Sequence, residues 1–146
     1  MKKTKFDSGL DQTDKPVKLL VIDDDEHILA ALYTFLTNIK YNVVSASDGL
    51  EGLKLLESED HGFDLIITDL VMPKVSGNYL VFAIKERYPD IPVIAITGWG
   101  AYPEAFATES QADKILEKPF DLPILDNTIK ELLSPSKHKI QNKAPS

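Results

Sequence analysis

The run Asp23-Asp24-Asp25-Glu26, a lone Asp69, Thr97 and Lys118 are the residues of this sequence whose types could do chemistry together. Each closes a short apolar stretch: KLLVI before Asp23, DLIIT before Asp69, PVIAI before Thr97 and KILE before Lys118. Crowded carboxylates are costly, since unit charges ~4 Å apart repel by about 4 kcal/mol at an effective dielectric of ~20. A hard divalent cation removes that repulsion. Oxygen ligands with open water positions suit magnesium, which takes one or two carboxylates and keeps several waters. Asp69 is a candidate nucleophile because carboxylates form acyl phosphates. Lys118 brings a compact positive charge, and Thr97 a hydroxyl donor. Phosphoryl transfer needs such a set: a nucleophile, charge neutralisation and positioning. Taken singly, Thr97 reads as an ordinary β-branched strand residue and Lys118 as a surface lysine. Asp25 or Glu26 serves equally well as a helix cap. Capping does not account for Asp69, which is followed by Leu70-Val71-Met72-Pro73 rather than by a helix start.

The elements that must position these residues follow from the pattern. Short apolar runs bounded by charge predict buried strands at Lys18–Ile22, Asn42–Ala46, Asp64–Thr68, Pro92–Thr97 and Lys114–Glu117. Helical spacing of apolar residues predicts a helix over His27–Ile39, facing inward with Ile28, Leu29, Leu32, Phe35, Leu36 and Ile39. Asp48 caps a second helix to Glu57, with Leu50, Leu53 and Leu56 as its inward face. A third runs from about Asn78 to Tyr88, and a short fourth from Pro103 to about Ser110. A fifth starts at Asp121 and Pro123 and ends near Leu133. Five strands alternating with five helices predict an α/β fold, a doubly wound parallel sheet covered on both sides. Ligands of such sheets bind at the carboxyl ends of the strands, where Asp23, Asp24, Asp69, Thr97 and Lys118 converge.

The 146 residues suit one domain, expected over residues 17–133, with a flexible leader at 1–16 and a flexible basic tail at 134–146. From Leu19 to Leu133, 8 Lys and Arg stand against 20 Asp and Glu, a formal −12, whereas the two tails are basic. An acidic body argues against direct nucleic-acid binding. There is no cysteine, hence no disulfide framework and no thiolate chemistry. No apolar run approaches the roughly 20 residues of a membrane span. A cytoplasmic protein without membrane contact is the expectation.

The stretches LLVIDDDE at 19–26, DLIITDLVMPKVSG at 64–77, PVIAITG at 92–98 and EKPF at 117–120 together resemble the receiver domain of bacterial response regulators. The resemblance runs from about Val17 to Leu133 and points to the stand-alone, single-domain type. It implies the flavodoxin-like fold with strand order 2-1-3-4-5. It also implies that Asp69 accepts a phosphoryl group from a phosphohistidine on a sensor kinase or phosphotransfer protein. Magnesium would be ligated by Asp24, Asp69 and the backbone carbonyl of Val71, with Asp23 holding a metal-bound water. Thr97 and Lys118 would bind the phosphoryl oxygens, and the Lys118–Pro119 bond would be cis. Output would pass to an unidentified protein through the face of the fourth helix, fifth strand and fifth helix. A homodimer formed on phosphorylation is a further expectation.

Several positions depart from the family's commonest pattern. Ile115 stands where many members carry an aromatic switch residue, and Gln111 where glycine is frequent. Val71 and Trp99, two residues after Asp69 and Thr97, are apolar. They are expected to exclude an attacking water and to give a long-lived phosphoryl state. Trp99, Tyr102 and Phe106 form an aromatic group, with Phe106 read as core and the other two as interface candidates. His27 reads as a helix-start residue and His61 as a loop residue. The competing function is a degenerate receiver that binds partners without phosphorylation, against which the intact set of five site residues counts. A phosphatase of the haloacid dehalogenase type needs Asp-x-Asp, and the matching position is Val71. A DNA-binding regulator needs more than the 13 residues that follow Leu133, so output by protein contact is expected.

Overall fold

The computed structural model describes residues 15–58, 62–72, 77–98 and 111–134. In chain order its elements are β1 (Lys18–Ile22), α1 (Glu26–Asn38), β2 (Asn42–Ala46), α2 (Gly49–Ser58), β3 (Leu65–Asp69), α3 (Gly77–Arg87), β4 (Val93–Thr97), β5 (Lys114–Glu117) and α4 (Leu122–Leu133). Strands pair in parallel in the order β2-β1-β3-β4-β5. This is the expected doubly wound α/β sheet, with four helices among the described residues. The helix expected at 103–110 lies outside them, as do the leader through residue 14 and the tail from residue 135. No helix among the described residues is long and apolar enough to cross a membrane.

The strands read as continuous apolar runs because both of their faces are covered. Leu20 and Ile22 of β1 point to one side and pack with Leu56 of α2 and Leu80, Val81 and Ile84 of α3. Leu19 and Val21 point to the other and pack with Leu32 and Leu36 of α1 and Leu125 and Ile129 of α4. Each such side chain, fully removed from water, contributes roughly 1.5–3 kcal/mol. Both layers lock the strands in register, and register fixes which residues stand at the carboxyl edge.

Helix starts are set by acids. The Asp25 side chain accepts from the His27 and Ile28 amides at 2.9 and 3.3 Å, so α1 begins at Glu26, one residue before the expected start. Asp48 Oδ1 accepts from the Glu51 amide at 2.8 Å, while Glu51 Oε1 accepts from the Ser47 amide at 2.8 Å, a reciprocal pair close to a capping box. The inward face of α2 corrects the expectation. Leu50 is 53 % exposed, and the buried residues are Gly49, Gly52 and Leu56, with Leu53 packed beside them. A Cβ at Gly52 would lie 2.5 Å from Ile22 Cδ1. The helix therefore meets β1 through glycine, and Leu50 is rotated outward.

Away from the site, Lys85 Nζ donates to Ile91 O at 2.9 Å, Asp113 Oδ2 at 3.0 Å and Pro89 O at 3.2 Å. Asp113 Oδ2 also accepts from the Val93 amide at 2.8 Å. This clamp joins the end of α3 to the starts of β4 and β5. At the site end, the Gly77 amide donates to Leu70 O at 3.1 Å, and a Cβ at Gly77 would run into the Leu70 backbone. Gly77→Ala is therefore expected to cost about 2–4 kcal/mol in urea unfolding, because a packed backbone must move. A cost under about 0.5 kcal/mol would contradict this contact.

Candidate functional site

The carboxyl edge of the sheet gathers the acids. Asp23 follows β1 directly, and its amide donates to Ala46 O at 3.1 Å, which holds it against the end of β2. Asp69 is the last residue of β3 and sits in register with Ile96 of β4. Carboxylate oxygens of Asp23, Asp24 and Asp69 all lie within 4.8 Å of one another. Asp23 and Asp69 are buried and Asp24 is exposed, so the cluster opens to solvent through Asp24. Opposite them, Lys118 Nζ lies 3.2 Å from Asp69 Oδ2 and 3.8 Å from Asp23 Oδ2. Its position is fixed by its amide, which donates to Thr97 O at 2.9 Å, and its bond to Pro119 is cis.

Backbone donors hold the acids in place. The Asp25 amide donates to Asp23 Oδ1 and the Val71 amide to Asp69 Oδ1, each at 2.9 Å. The four-acid run thus divides its labour. Asp23 and Asp24 face the cluster, Asp25 caps α1 and orients Asp23, and Glu26 opens the helix. Apolar residues after Asp25 carried the capping signal in the sequence. Nothing in the sequence marked its amide as a support for Asp23.

The site is electrostatically unbalanced. Burial raises the Asp23 carboxyl from 3.8 to about 6. The Asp25 amide works against that rise, the Asp69 and Asp24 charges add to it, and Lys118 again opposes it. Asp23 Oδ2 is buried with no hydrogen-bond partner, and so is Thr97 Oγ1 at the end of β4. An unmet buried polar atom costs about 1–3 kcal/mol, and such atoms in a folded protein call for an explanation. Three carboxylates, one of them exposed, are the donor set of a hard divalent cation. The orphaned Asp23 oxygen fits that role, and the orphaned Thr97 hydroxyl fits a donor awaiting an anion.

Other expected residues fall into three groups. Val71 stands two residues after Asp69, its amide donating to Asp69 Oδ1 and its side chain 51 % exposed. Ile115 is part-buried and packs with the core on the α2 and α3 side, while Gln111 is exposed. His27 is exposed in the first turn of α1, the helix-start role expected of it. Trp99, Tyr102, Phe106 and His61 lie outside the described residues.

The family model of the response regulator receiver domain matches residues 19–130. The transcriptional regulatory protein GlrR of Escherichia coli K12 is 39% identical over 123 residues, which cover 84% of this chain and 27% of that protein. The chain therefore spans about a quarter of that relative's length. A response regulator receiver domain protein from Clostridium thermocellum superposes with a TM-score of 0.75 at 33% identity, covering 83% of this chain and 97% of that one. The response regulator TrrA of Thermotoga maritima, solved in complex with Mg(2+)-BeF, gives 0.72 at 30% identity, covering 80% and 99%. With its acidic triad of Asp23, Asp24 and Asp69 at the carboxyl edge of the sheet, this chain belongs to the response regulator receiver family.

Proposed function

We propose that Asp69 is the phosphoacceptor and that it takes its phosphoryl group from a phosphohistidine of a sensor kinase or phosphotransfer protein. A histidine-kinase partner follows from family membership. The observation that carries the reading is the Asp69 carboxylate itself. It is 5 % exposed, held by the Val71 amide on one oxygen and by Lys118 on the other, inside a cluster of three acids. In the transfer, the P–N bond of phosphohistidine breaks as a P–O bond to Asp69 forms, and the electron pair leaves with the imidazole.

Mg2+ fits the donor set best, with Asp24, Asp69 and the Val71 carbonyl as direct ligands and Asp23 holding a coordinated water. Bound there, it would supply the positive charge that lets an anionic carboxylate meet an anionic phosphoryl group. The protein's own groups do the rest. Lys118 follows the new phosphoryl oxygens, and the Thr97 hydroxyl donates to them and so gains the partner it lacks. A phosphoryl group adds about −1.5 to −2 charge and three strong acceptors. Thr97 and Lys118 lie on the ends of β4 and β5, so their movement is transmitted to β5 and α4, the side proposed for output. Ile115 there is part-buried, so the change proceeds by repacking rather than by rotation of an aromatic ring.

Intact mass after incubation with a small acyl phosphate tests this directly. A gain of one phosphoryl group that requires Mg2+ and is absent in Asp69→Asn is expected, with Lys118→Ala lowering the rate by ~10-fold or more. No gain in the folded wild type would favour the phosphorylation-independent binding module. The same sample gives the lifetime. With the apolar Val71 beside Asp69, a phosphoryl state lasting well beyond seconds is expected, and loss within seconds would contradict the shielding role.

The raised Asp23 carboxyl sets a pH dependence. Between about pH 4 and 6 the folded protein holds a proton that the unfolded chain has lost. Stability of the metal-free protein therefore falls as pH rises through that window and stays low above it. Asp23→Asn should flatten this dependence and stabilise the metal-free protein at neutral pH by roughly 1–3 kcal/mol. Urea unfolding on both sides of the window measures it, and a variant less stable than wild type at neutral pH would contradict it.

A further inference from the structure

The two edges of the sheet are finished differently. Edge strand β5 carries Lys114 and Glu117 at its ends, both exposed, and runs into Lys118-Pro119. Charges and proline are the usual protection of an open edge. Edge strand β2, Asn42-Val43-Val44-Ser45-Ala46, has neither. The Asn42 amide donates to Val17 O, and Ala46 O accepts from the Asp23 amide. Backbone groups alternate along a parallel strand, so Val43 and Ser45 direct their N–H and C=O groups away from β1. Among the described residues no hydrogen bond reaches them from that side.

Beside this edge, on the α1 side, lies an open groove of about 350 Å³ lined by Glu26, Leu29, Ala30, Tyr33, Thr34 and Ser45. Tyr33 is 45 % exposed. The groove is apolar along Leu29, Ala30 and Tyr33 and acidic at its Glu26 end, where Asp24 and Asp25 are also exposed. No cation among the described residues pairs with Glu26. A strand laid along β2 would project alternate side chains over this groove.

We infer that the β2 edge and the α1 groove form a docking site for an extended, basic segment of a partner protein. The segment adds a strand through the Val43 and Ser45 backbone groups. One of its apolar side chains rests on Leu29 and Tyr33, and a Lys or Arg lies by Glu26. Strand addition draws affinity from main-chain hydrogen bonds and specificity from pockets for alternate side chains. Charge selects the occupant. The body from 19 to 133 carries a formal −12, which repels a second copy of the same chain and attracts a basic segment. The site is separate from Asp69 and independent of the phosphoacceptor reading.

Its test uses 15N-labelled full-length protein without phosphoryl donor. The probe is the capped hexapeptide Lys-Val-Thr-Leu-Ser-Val, compared with a Glu-for-Lys counterpart and with one N-methylated at alternate amides. Saturable shifts of the Val43 and Ser45 amides with a Kd of roughly 0.1–1 mM are expected, together with slowed exchange of both amides. The Glu counterpart, and Ala30→Glu in the protein, should each weaken binding by ~10-fold. N-methylation should abolish it. Absence of shifts at several-fold higher peptide would overturn the inference, as would binding that survives N-methylation. A peptide-free dimer that already protects the Val43 and Ser45 amides would overturn it too, since the edge would then belong to a second copy.

Discussion

Lys118 Nζ sits 3.2 Å from Asp69 and 3.8 Å from Asp23, a single ammonium group set against three carboxylates whose oxygens lie within 4.8 Å of one another. That imbalance governs the site. Burial first, and the Asp69 and Asp24 charges that one cation cannot offset, push the Asp23 carboxyl up to about 6. Asp23 Oδ2 also stays without a hydrogen bond. The fold tolerates the mismatch because it is confined to the edge of the sheet, next to water through Asp24. Lys118 is held as a mobile charge on a fixed backbone. Its amide is tied to Thr97 O, while its long side chain can follow negative charge as that charge moves.

Everything beneath the site serves to hold those groups still. A parallel sheet buried on both faces puts every strand's carboxyl end on one edge. Hydrogen bonds from the Asp25 and Val71 amides then fix the side chains of Asp23 and Asp69. Gly77 lets α3 start against the Leu70 backbone, directly behind Asp69. Gly52 lets α2 close on Ile22, directly behind Asp23. Glycine thus packs against the chain neighbour of each buried acid, Leu70 after Asp69 and Ile22 before Asp23. At the far edge the Lys85 clamp pins β4 and β5, so that motion at Thr97 and Lys118 starts from a fixed base.

Much of this was legible in the sequence. Short apolar runs, closed by an acid at β1 and β3, located every strand to within a residue, because the inner strands, buried on both faces, leave little other composition. The convergence of Asp23, Asp24, Asp69, Thr97 and Lys118 followed from strand ends alone. The orientation of α2 did not. Leu50 fits the helical stripe, but the stripe only says which residues are apolar, whereas Gly49 and Gly52 decide which side can approach β1. Backbone supports were equally silent, since every residue has an amide and only the fold selects those of Asp25 and Val71. Nothing in the sequence singles out Lys85, whose partners Ile91, Pro89 and Asp113 are gathered only by the fold. The open β2 edge has its signal in the absence of charge from Asn42 to Ala46, which composition shows only once β2 is known to be terminal.

The central claim is that the three-acid cluster of Asp23, Asp24 and Asp69 is the donor set of a divalent cation. Calorimetric titration of Mg2+ into the unphosphorylated protein at pH 6, in two buffers of different ionisation heat, tests it most directly. Binding of one Mg2+ should release about half a proton from Asp23, which is half-protonated at this pH, seen as a buffer-dependent heat, and affinity should fall further as pH is lowered. Asp23→Asn should bind more weakly and release no proton. Absence of Mg2+ binding, or binding with the same affinity and no proton release across this range, would contradict the account.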